Sequence, residues 1–370
     1  MTVNEKIHPS GMKFREYDIK PYDNDYLIPV VKLLYYLWGG ILDENLAFFK
    51  WKYEENPLTE NPLGMIVLYD GEVVGFKSFY PSLWETGGKS GKIHMLSPTD
   101  TVVHPDHRRK GLFTAMTKLS LEMFENTKYR VFINLSANQK AASGNMKLDW
   151  YPIEKRTYLR HFGLNGLIDY LLIKTGKRRS VIPDIHYGRF GNIEVSRVPE
   201  AKQLAALIGK QELQHGKFRM LQHESYLDYR FKNPKQFYTY YYLWNENSIV
   251  GYVIIKPVQS SNNVHIIDYG QSEQNALKIL LTHMIEKKYF KMISIWNNNI
   301  GKDVFHLLKK LKFRTSPLFE KMEDRMRGPY YLLVRPIKNE PVLEEDWFID
   351  NIDLRKIENW IFKEFCADPD

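Results

Sequence analysis

The chain has 370 residues, with 52 Lys and Arg against 44 Asp and Glu, 44% hydrophobic and 14% aromatic side chains, and a single cysteine. Those values exclude a disordered polymer and a disulfide-stapled miniprotein, and the length suits two or three domains that each bury a core. The net charge of +8 is uneven, because residues 340–370 hold ten acidic and three basic side chains, leaving +15 on the rest. Such an excess suits a nucleic acid, an anionic membrane or a phosphorylated small molecule, and composition does not choose among them.

Residues 12–19 alternate in the manner of a short strand. Apolar residues from Tyr26 to Leu37 then recur at helical spacing. The stretch 26–42 is too short, and interrupted by Lys32, to span a membrane, so a buried helix is expected there. A second helix runs from Asp43 through Leu46, Phe49 and Tyr53 to the stop at Asn56-Pro57. Strands at 65–69 and 73–80 flank Asp70-Gly71, a strong hairpin signal. A third strand ends at Thr101-Val102-Val103 and leads into His107-Arg108-Arg109-Lys110-Gly111.

Leu112, Met116, Leu119 and Met123 lay one apolar stripe along the next helix. A strand at 131–135, a short helix near 140–148 and a strand near 155–159 complete an α/β layer plan. Residues 164–189 read as a connector. Its basic run 174–179 is short and lacks aromatics for base stacking, so no nucleic-acid partner is expected.

Beyond the connector the first half recurs in faded form. Tyr229-Arg-Phe-Lys-Asn-Pro234 echoes Trp51-Lys-Tyr-Glu-Glu-Asn-Pro57, and Ile249-Val-Gly-Tyr252 echoes Val73-Val-Gly-Phe76. Eighteen residues separate Pro57 from Gly75, and seventeen separate Pro234 from Gly251. The expected division is therefore 1–165, a connector 166–190, a second unit 191–337 and an acidic tail 338–370. The tail's apolar residues, among them Trp347, Ile352, Leu354, Trp360 and Phe365, fall at roughly helical spacing. They read as a terminal helix docked on the second unit, or as a lid or dimer contact.

Arg108 to Gly111 read either as a phosphate cradle or as a solvated turn before the helix. Between a strand and a helix, exposed backbone N–H groups and the positive end of the helix dipole can face one anion. Gly111 permits close backbone approach there. The whole stretch 100–116 closely resembles the acetyl-CoA-binding segment of the GCN5-related N-acetyltransferase superfamily, a strand and Val-x-Pro followed by Arg/Gln-x-x-Gly-x-Gly/Ala at a helix start. Arg108, Gly111 and Phe113 fill the three marked positions, with Phe113 departing from the small residue.

The resemblance implies two mixed-sheet units of this fold with flanking helices and a helical tail. It also implies acetyl-CoA, or another acyl-CoA, as cosubstrate. The backbone of Val102 and Val103 would pair with the pantetheine arm. The N–H groups of Arg109, Lys110, Gly111, Leu112 and Phe113 would take the pyrophosphate, with Arg108 beside them. Asn138 would either contact the cofactor or hold the strand-to-helix turn. Where the family often has a Tyr to protonate the leaving thiolate, this chain has Asn145. Tyr151 and Tyr158 are the nearby substitutes, or packing residues. Asp100 is the first candidate base, or a cap for the turn after Ser97-Pro98-Thr99; His94 and His104 are weaker candidates.

In the second unit, 268–274 stands in the loop's place without the cations, and Asp268 and Glu273 would repel a pyrophosphate, so one active site per chain is expected. The activity implied is acyl transfer to a small amine such as an amino sugar. The alternatives are a non-catalytic acyl-CoA-binding scaffold and a transferase using aminoacyl-tRNA. No metal set is spaced for ligation, Cys366 is a poor nucleophile candidate, and a reducing cytoplasm without a membrane span is expected.

Overall fold

A computed structural model describes residues 12–163, 184–258, 262–339 and 341–368, together with Ile168 and Leu172. The basic run 174–179 lies outside the described residues. In chain order the first half forms β1 (Met12–Phe14), β2 (Tyr17–Pro21), α1 (Leu27–Trp38), α2 (Leu42–Phe49), β3 (Leu63–Tyr69), β4 (Glu72–Thr86), β5 (Lys92–Val103), α3 (Leu112–Phe124), β6 (Tyr129–Asn138), α4 (Gln139–Met146), β7 (Tyr151–Lys155) and β8 (Tyr158–Phe162). The second half repeats the plan as β9 (Gly188–Phe190), β10 (Ile193–Ser196), α5 (Ala201–Gly209), β11 (Phe218–Met220), α6 (Glu224–Arg230), β12 (Thr239–Asn245), β13 (Ser248–Pro257), β14 (Asn263–Gln271), α7 (Ala276–Glu286), β15 (Met292–Trp296), α8 (Lys302–Lys310), α9 (Pro317–Arg327) and β16 (Tyr330–Pro336).

Two mixed sheets result, and they exchange a strand. The first runs β1-β2-β3-β4-β5-β6-β16-β7, and the second runs β8-β15-β14-β13-β12-β10-β9. Where one strand was expected near 155–159, the chain makes two. β7 stays in the first sheet, whereas β8 crosses to pair antiparallel with β15. In return β16, from the end of the second half, inserts between β6 and β7. Each sheet is thus closed by a strand from the other half.

The duplicated positions meet at the interface. Trp51 stacks on Tyr229 with ring centroids 5.2 Å apart. Trp51 Nε1 donates to the Tyr229 carbonyl at 2.9 Å, and Tyr229 Oη donates to the Lys52 carbonyl at 3.1 Å. This reciprocal pattern is what a pseudo-two-fold between related halves produces. One continuous apolar core joins Trp84, Met95 and Ile133 of the first half to Leu204, Tyr226 and Tyr240 of the second and Trp360 of the tail.

The expected buried helix 26–42 is half right. α1 buries Val30, Val31, Leu33 and Leu34, while Tyr35, Tyr36 and Leu37 are exposed. Among the described residues no single helix is long and apolar enough to cross a membrane. The tail is not the expected helix. It consists of short 3-10 turns and two-residue strands, β17 (Phe348–Ile349), β18 (Ile352–Asp353) and β19 (Trp360–Ile361). Asp350 and Asn351 take positive φ values of 53° and 64°, the backbone of a tight two-residue hairpin turn that no helix tolerates. Trp347, Ile352, Leu354, Trp360 and Phe365 are still buried, whereas Phe348 is exposed, so the spacing reported burial and not helicity.

Candidate active site

β5 and β6 are parallel neighbours only from His94 to Leu96 on β5, and beyond that they diverge. The divergence opens a wedge in the middle of the sheet, with Asn134 Nδ2 reaching the Pro98 carbonyl at 3.5 Å across its apex. On its other side β5 remains paired with β4, Lys77 opposite Thr101, Phe76 opposite Val102 and Gly75 opposite Val103. The backbone edge of residues 99–103 facing the wedge therefore has no strand beside it, a place where an amide-bearing chain can add as a strand.

At the wedge's end the loop enters α3. Arg109 and Gly111 both sit in the left-handed region, at φ 65° and 86°. Alternating handedness turns successive N–H groups to one side, a nest for an anion. Among the described residues, the N–H groups of Arg109, Lys110, Gly111, Leu112 and Phe113 have no hydrogen-bond acceptor, and α3 carries no side-chain cap. Arg108 is exposed and folds Nε back to the Val103 carbonyl at 3.0 Å, while Lys110 lies 3.8 Å from Glu16. Unsatisfied donors, a helix N-terminus and three cations together fit a pyrophosphate. Gly111 also has Phe14 close by, 3.4 Å from where its Cβ would stand.

A cavity of about 810 Å³ runs from this wedge into the space between the two halves. Asp100, Thr101, Phe113, Asn138 and Asn145 line its first part, and Arg156, Tyr158, Lys256, His265 and Glu364 line the rest. Asn138 caps α4, accepting from the Ala141 N–H at 3.0 Å, while lining the cavity. Asn145, where the family often has Tyr, is 3% exposed with Oδ1 lacking a partner in the cavity wall. Phe113, in place of a small residue, presses against Gly144 of α4.

Asp100 is buried and its oxygens are well supplied with donors. Trp38 Nε1 donates to Oδ1 at 3.0 Å, while Lys52 Nζ at 2.9 Å and Tyr53 Oη at 2.5 Å donate to Oδ2. Lys52 also pairs with Asp368 at 3.1 Å. Lys52 and Tyr53 are aimed there by a π-helical turn, Lys50–Glu54, that follows α2. Lys52→Met leaves two buried carboxylates without their cation, so a loss of roughly 3–5 kcal/mol is expected in urea unfolding. An unchanged midpoint would show that this network does not hold the fold.

Tyr151 is not brought to this group. It is 41% exposed, sits edge-on to Trp347 and lies outside the cavity lining. Tyr158 does line the cavity, and burial raises its phenol well above the ordinary range. His104 meets Tyr36 Oη at 3.1 Å outside the cavity, and His94 faces Tyr129. Burial pushes the Cys366 thiol up to about 12, which leaves it a poor nucleophile.

Several lining residues have no counterpart among the residues expected from sequence. Lys77 is 2% exposed and lies over the Phe113 ring at 4.8 Å. Burial alone lowers its ammonium to about 7. Its only sequence signal is a lysine inside the apolar strand Val74-Gly-Phe-Lys-Ser-Phe79. His265 and Glu364 come from β14 and the tail and meet at 2.9 Å, with Lys256 also 3.0 Å from Glu364. Burial opposes ionisation of Glu364, but the charges of His265 and Lys256 outweigh it and hold the carboxyl well below the usual range.

In the second half a cavity of about 820 Å³ lined by Gln211, Arg219, Gln222, Gly301 and Lys363 lies in the corresponding region, but the loop before α7 bonds within the chain. Gln271 Oε1 accepts from the Leu277 N–H at 2.9 Å, capping the start of α7 with the protein's own side chain. Asp268, fully buried, takes hydrogen bonds from Gln222, Tyr252 and the tail's Lys363, which also reaches the Tyr269 carbonyl.

Residues 18–141 match the model of an acetyltransferase (GNAT) domain. No curated protein matches this sequence. Among solved structures, a GCN5-related N-acetyltransferase from Anabaena variabilis superposes with a TM-score of 0.60 at 12% identity, covering 87% of this chain and 73% of that one. A conserved protein of unknown function from Enterococcus faecalis, a probable N-acyltransferase, gives 0.59 at 12% identity over the same shares. A putative acetyltransferase from Pyrococcus horikoshii gives 0.51 at 13% identity, covering 94% of this chain and 96% of that one. The strand wedge, the glycine loop and the matched family model together place the domain at 18–141 in the GCN5-related N-acetyltransferase superfamily.

Proposed function

We propose that this chain is an acyl-CoA-dependent N-acyltransferase that moves an acetyl or similar small acyl group onto a small amine, from one site per chain. The observation that carries the reading is the open wedge ending in unsatisfied N–H groups at the start of α3. That arrangement fits a long amide-bearing arm joined to a pyrophosphate. Val102 and Val103 lie along the arm. Arg109 to Phe113 supply backbone donors, Arg108 and Lys110 add charge, and Asn138 and Asn145 offer polar atoms on the opposite wall.

Acyl-CoA supplies a thioester whose C–S bond breaks as the amine nitrogen forms its C–N bond, the ammonium proton going to a base and the thiolate taking up a proton. The chain's residues prepare the amine and exclude water. Asp100, fixed by Trp38, Lys52 and Tyr53, lines the cavity from β5 itself and is the carboxylate assigned here to the incoming ammonium. His265, oriented through Nδ1 by Glu364, is a second group that can carry a proton, acting as a base only from its neutral form. Tyr158, which lines the cavity, is the phenol we assign to the role that Asn145 cannot fill, because an amide is no acid.

Release of CoA thiol from acetyl-CoA in the presence of a panel of amines tests the reading. Amine-dependent release is the expected result. Tight CoA binding with no turnover on any amine would make the chain a CoA-binding scaffold instead.

A further inference from the structure

The part of the cavity beyond the wedge has two electrically different ends. Beside the wedge, Asp100 and Asp368 share Lys52, two carboxylates on one ammonium. Lys235, the other cation of that neighbourhood, is turned to Asn45 Oδ1 at 2.8 Å and lies over the Trp38 and Phe48 rings. At the far end Lys256 and His265 both contact Glu364, at 3.0 and 2.9 Å, while the charge of Arg156 reaches that carboxylate only from beyond ion-pair distance.

Arg156 sits in the link between β7 and β8, where the chain leaves one sheet for the other. Its N–H donates to the Tyr330 carbonyl at 2.9 Å. Its guanidinium lies over the rings of Tyr330, Trp296 and Tyr158, at 4.4, 5.3 and 5.7 Å. Among the described residues that guanidinium makes no side-chain hydrogen bond and has no carboxylate within 4.0 Å. Aromatic faces hold its plane but accept none of its N–H bonds. A partly buried planar fork of this kind matches a carboxylate or phosphate.

We infer that the acyl acceptor is a small amine that also carries a compact anion, a carboxylate or a phosphate, seated on Arg156 with its amino group directed toward Asp100 and the wedge. This rests on the transferase reading above. It gives the second half a role in substrate choice, because the strand exchange that builds its sheet also places Arg156 against Trp296 and Tyr330.

The test is CoA thiol release by the full chain with acetyl-CoA and matched acceptors, β-alanine against β-alaninamide and glucosamine 6-phosphate against glucosamine. The anionic member of at least one pair is expected to show a kcat/KM at least roughly tenfold above its neutral partner, through KM. The responding pair separates carboxylate from phosphate. Arg156→Met should bring that ratio to about one with CoA affinity retained. Arg156→Lys should recover part of it, since an ammonium keeps the charge without the fork. Equal use of both members by the wild type, or an unchanged ratio in Arg156→Met, overturns this inference alone. CoA binding without turnover of any amine overturns it together with the transferase reading.

Discussion

Gly111→Asp is expected to weaken CoA binding by roughly 100-fold or more, the loss expected when a carboxylate is set in an anion nest at a helix N-terminus. Three effects add. Gly111 has φ 86°, so any side chain is strained there, and its Cβ would lie 3.4 Å from Phe14. A carboxylate at the start of α3 is itself favoured by the positive end of the helix dipole, so it takes the place that the pyrophosphate would occupy. The same charge faces the N–H groups that the pyrophosphate needs. Gly111→Asn separates these terms, because it has nearly the same shape and backbone strain without the charge, and it should lose roughly tenfold or less. Calorimetric titration with CoA reads both variants. Equal affinity in wild type and Gly111→Asp would remove the loop from the binding site.

Lys77→Met is expected to stabilise the protein at neutral pH. Burial lowers the Lys77 ammonium to about 7 from its ordinary 10.5. The unfolded chain therefore binds more protons than the folded one between these values, and stability rises with pH across that window. The burial penalty is fully present below about pH 7 and fades toward 10.5. Removing the amine should raise unfolding free energy by roughly 3–5 kcal/mol at pH 7, with the difference from wild type shrinking by pH 10. Urea unfolding of both proteins at pH 7, 8.5 and 10 measures it. A pH-independent difference would mean that Lys77 is already neutral or is solvated. A destabilising effect would mean that its stem packs better than Met. A lysine kept in the cavity wall at such a cost fits a site held for function over stability.

Much of the first half was legible because its signals are local. The Asp70-Gly71 hairpin, the stripe from Leu112 to Met123 and the run from Arg108 to Gly111 each depend on neighbours in sequence. The duplication was also legible, since Gly75 and Gly251 hold corresponding places opposite Val103 and Gln271. By that register Asp100 corresponds to Asp268, and both are buried and hydrogen-bonded by lysine and tyrosine. A carboxylate kept in the half whose loop bonds within the chain gives Asp100 a positioning role first, whatever proton it handles.

The exchange of β8 and β16 was not legible. Both are short strands, and nothing in Tyr158-Leu-Arg-His-Phe162 or in Tyr330-Tyr-Leu-Leu-Val-Arg-Pro336 specifies which sheet it joins. The acceptor side was hidden for the same reason. Arg156, His265 and Glu364 are far apart in sequence and converge only because that exchange and the tail bring them together. The tail misled through its spacing, although the Asp350-Asn351 turn offered a hairpin signal.

Hydrogen–deuterium exchange of the full chain with and without CoA tests the central assignment most directly. The expected result is slowed exchange at the amides of 99–103 and 109–113, with no change at 268–277, where the N–H groups of Ser272, Ala276 and Leu277 are already bonded within the chain. Protection at 268–277, or none at 109–113 under saturating CoA, would contradict a single acyl-CoA site in the first half.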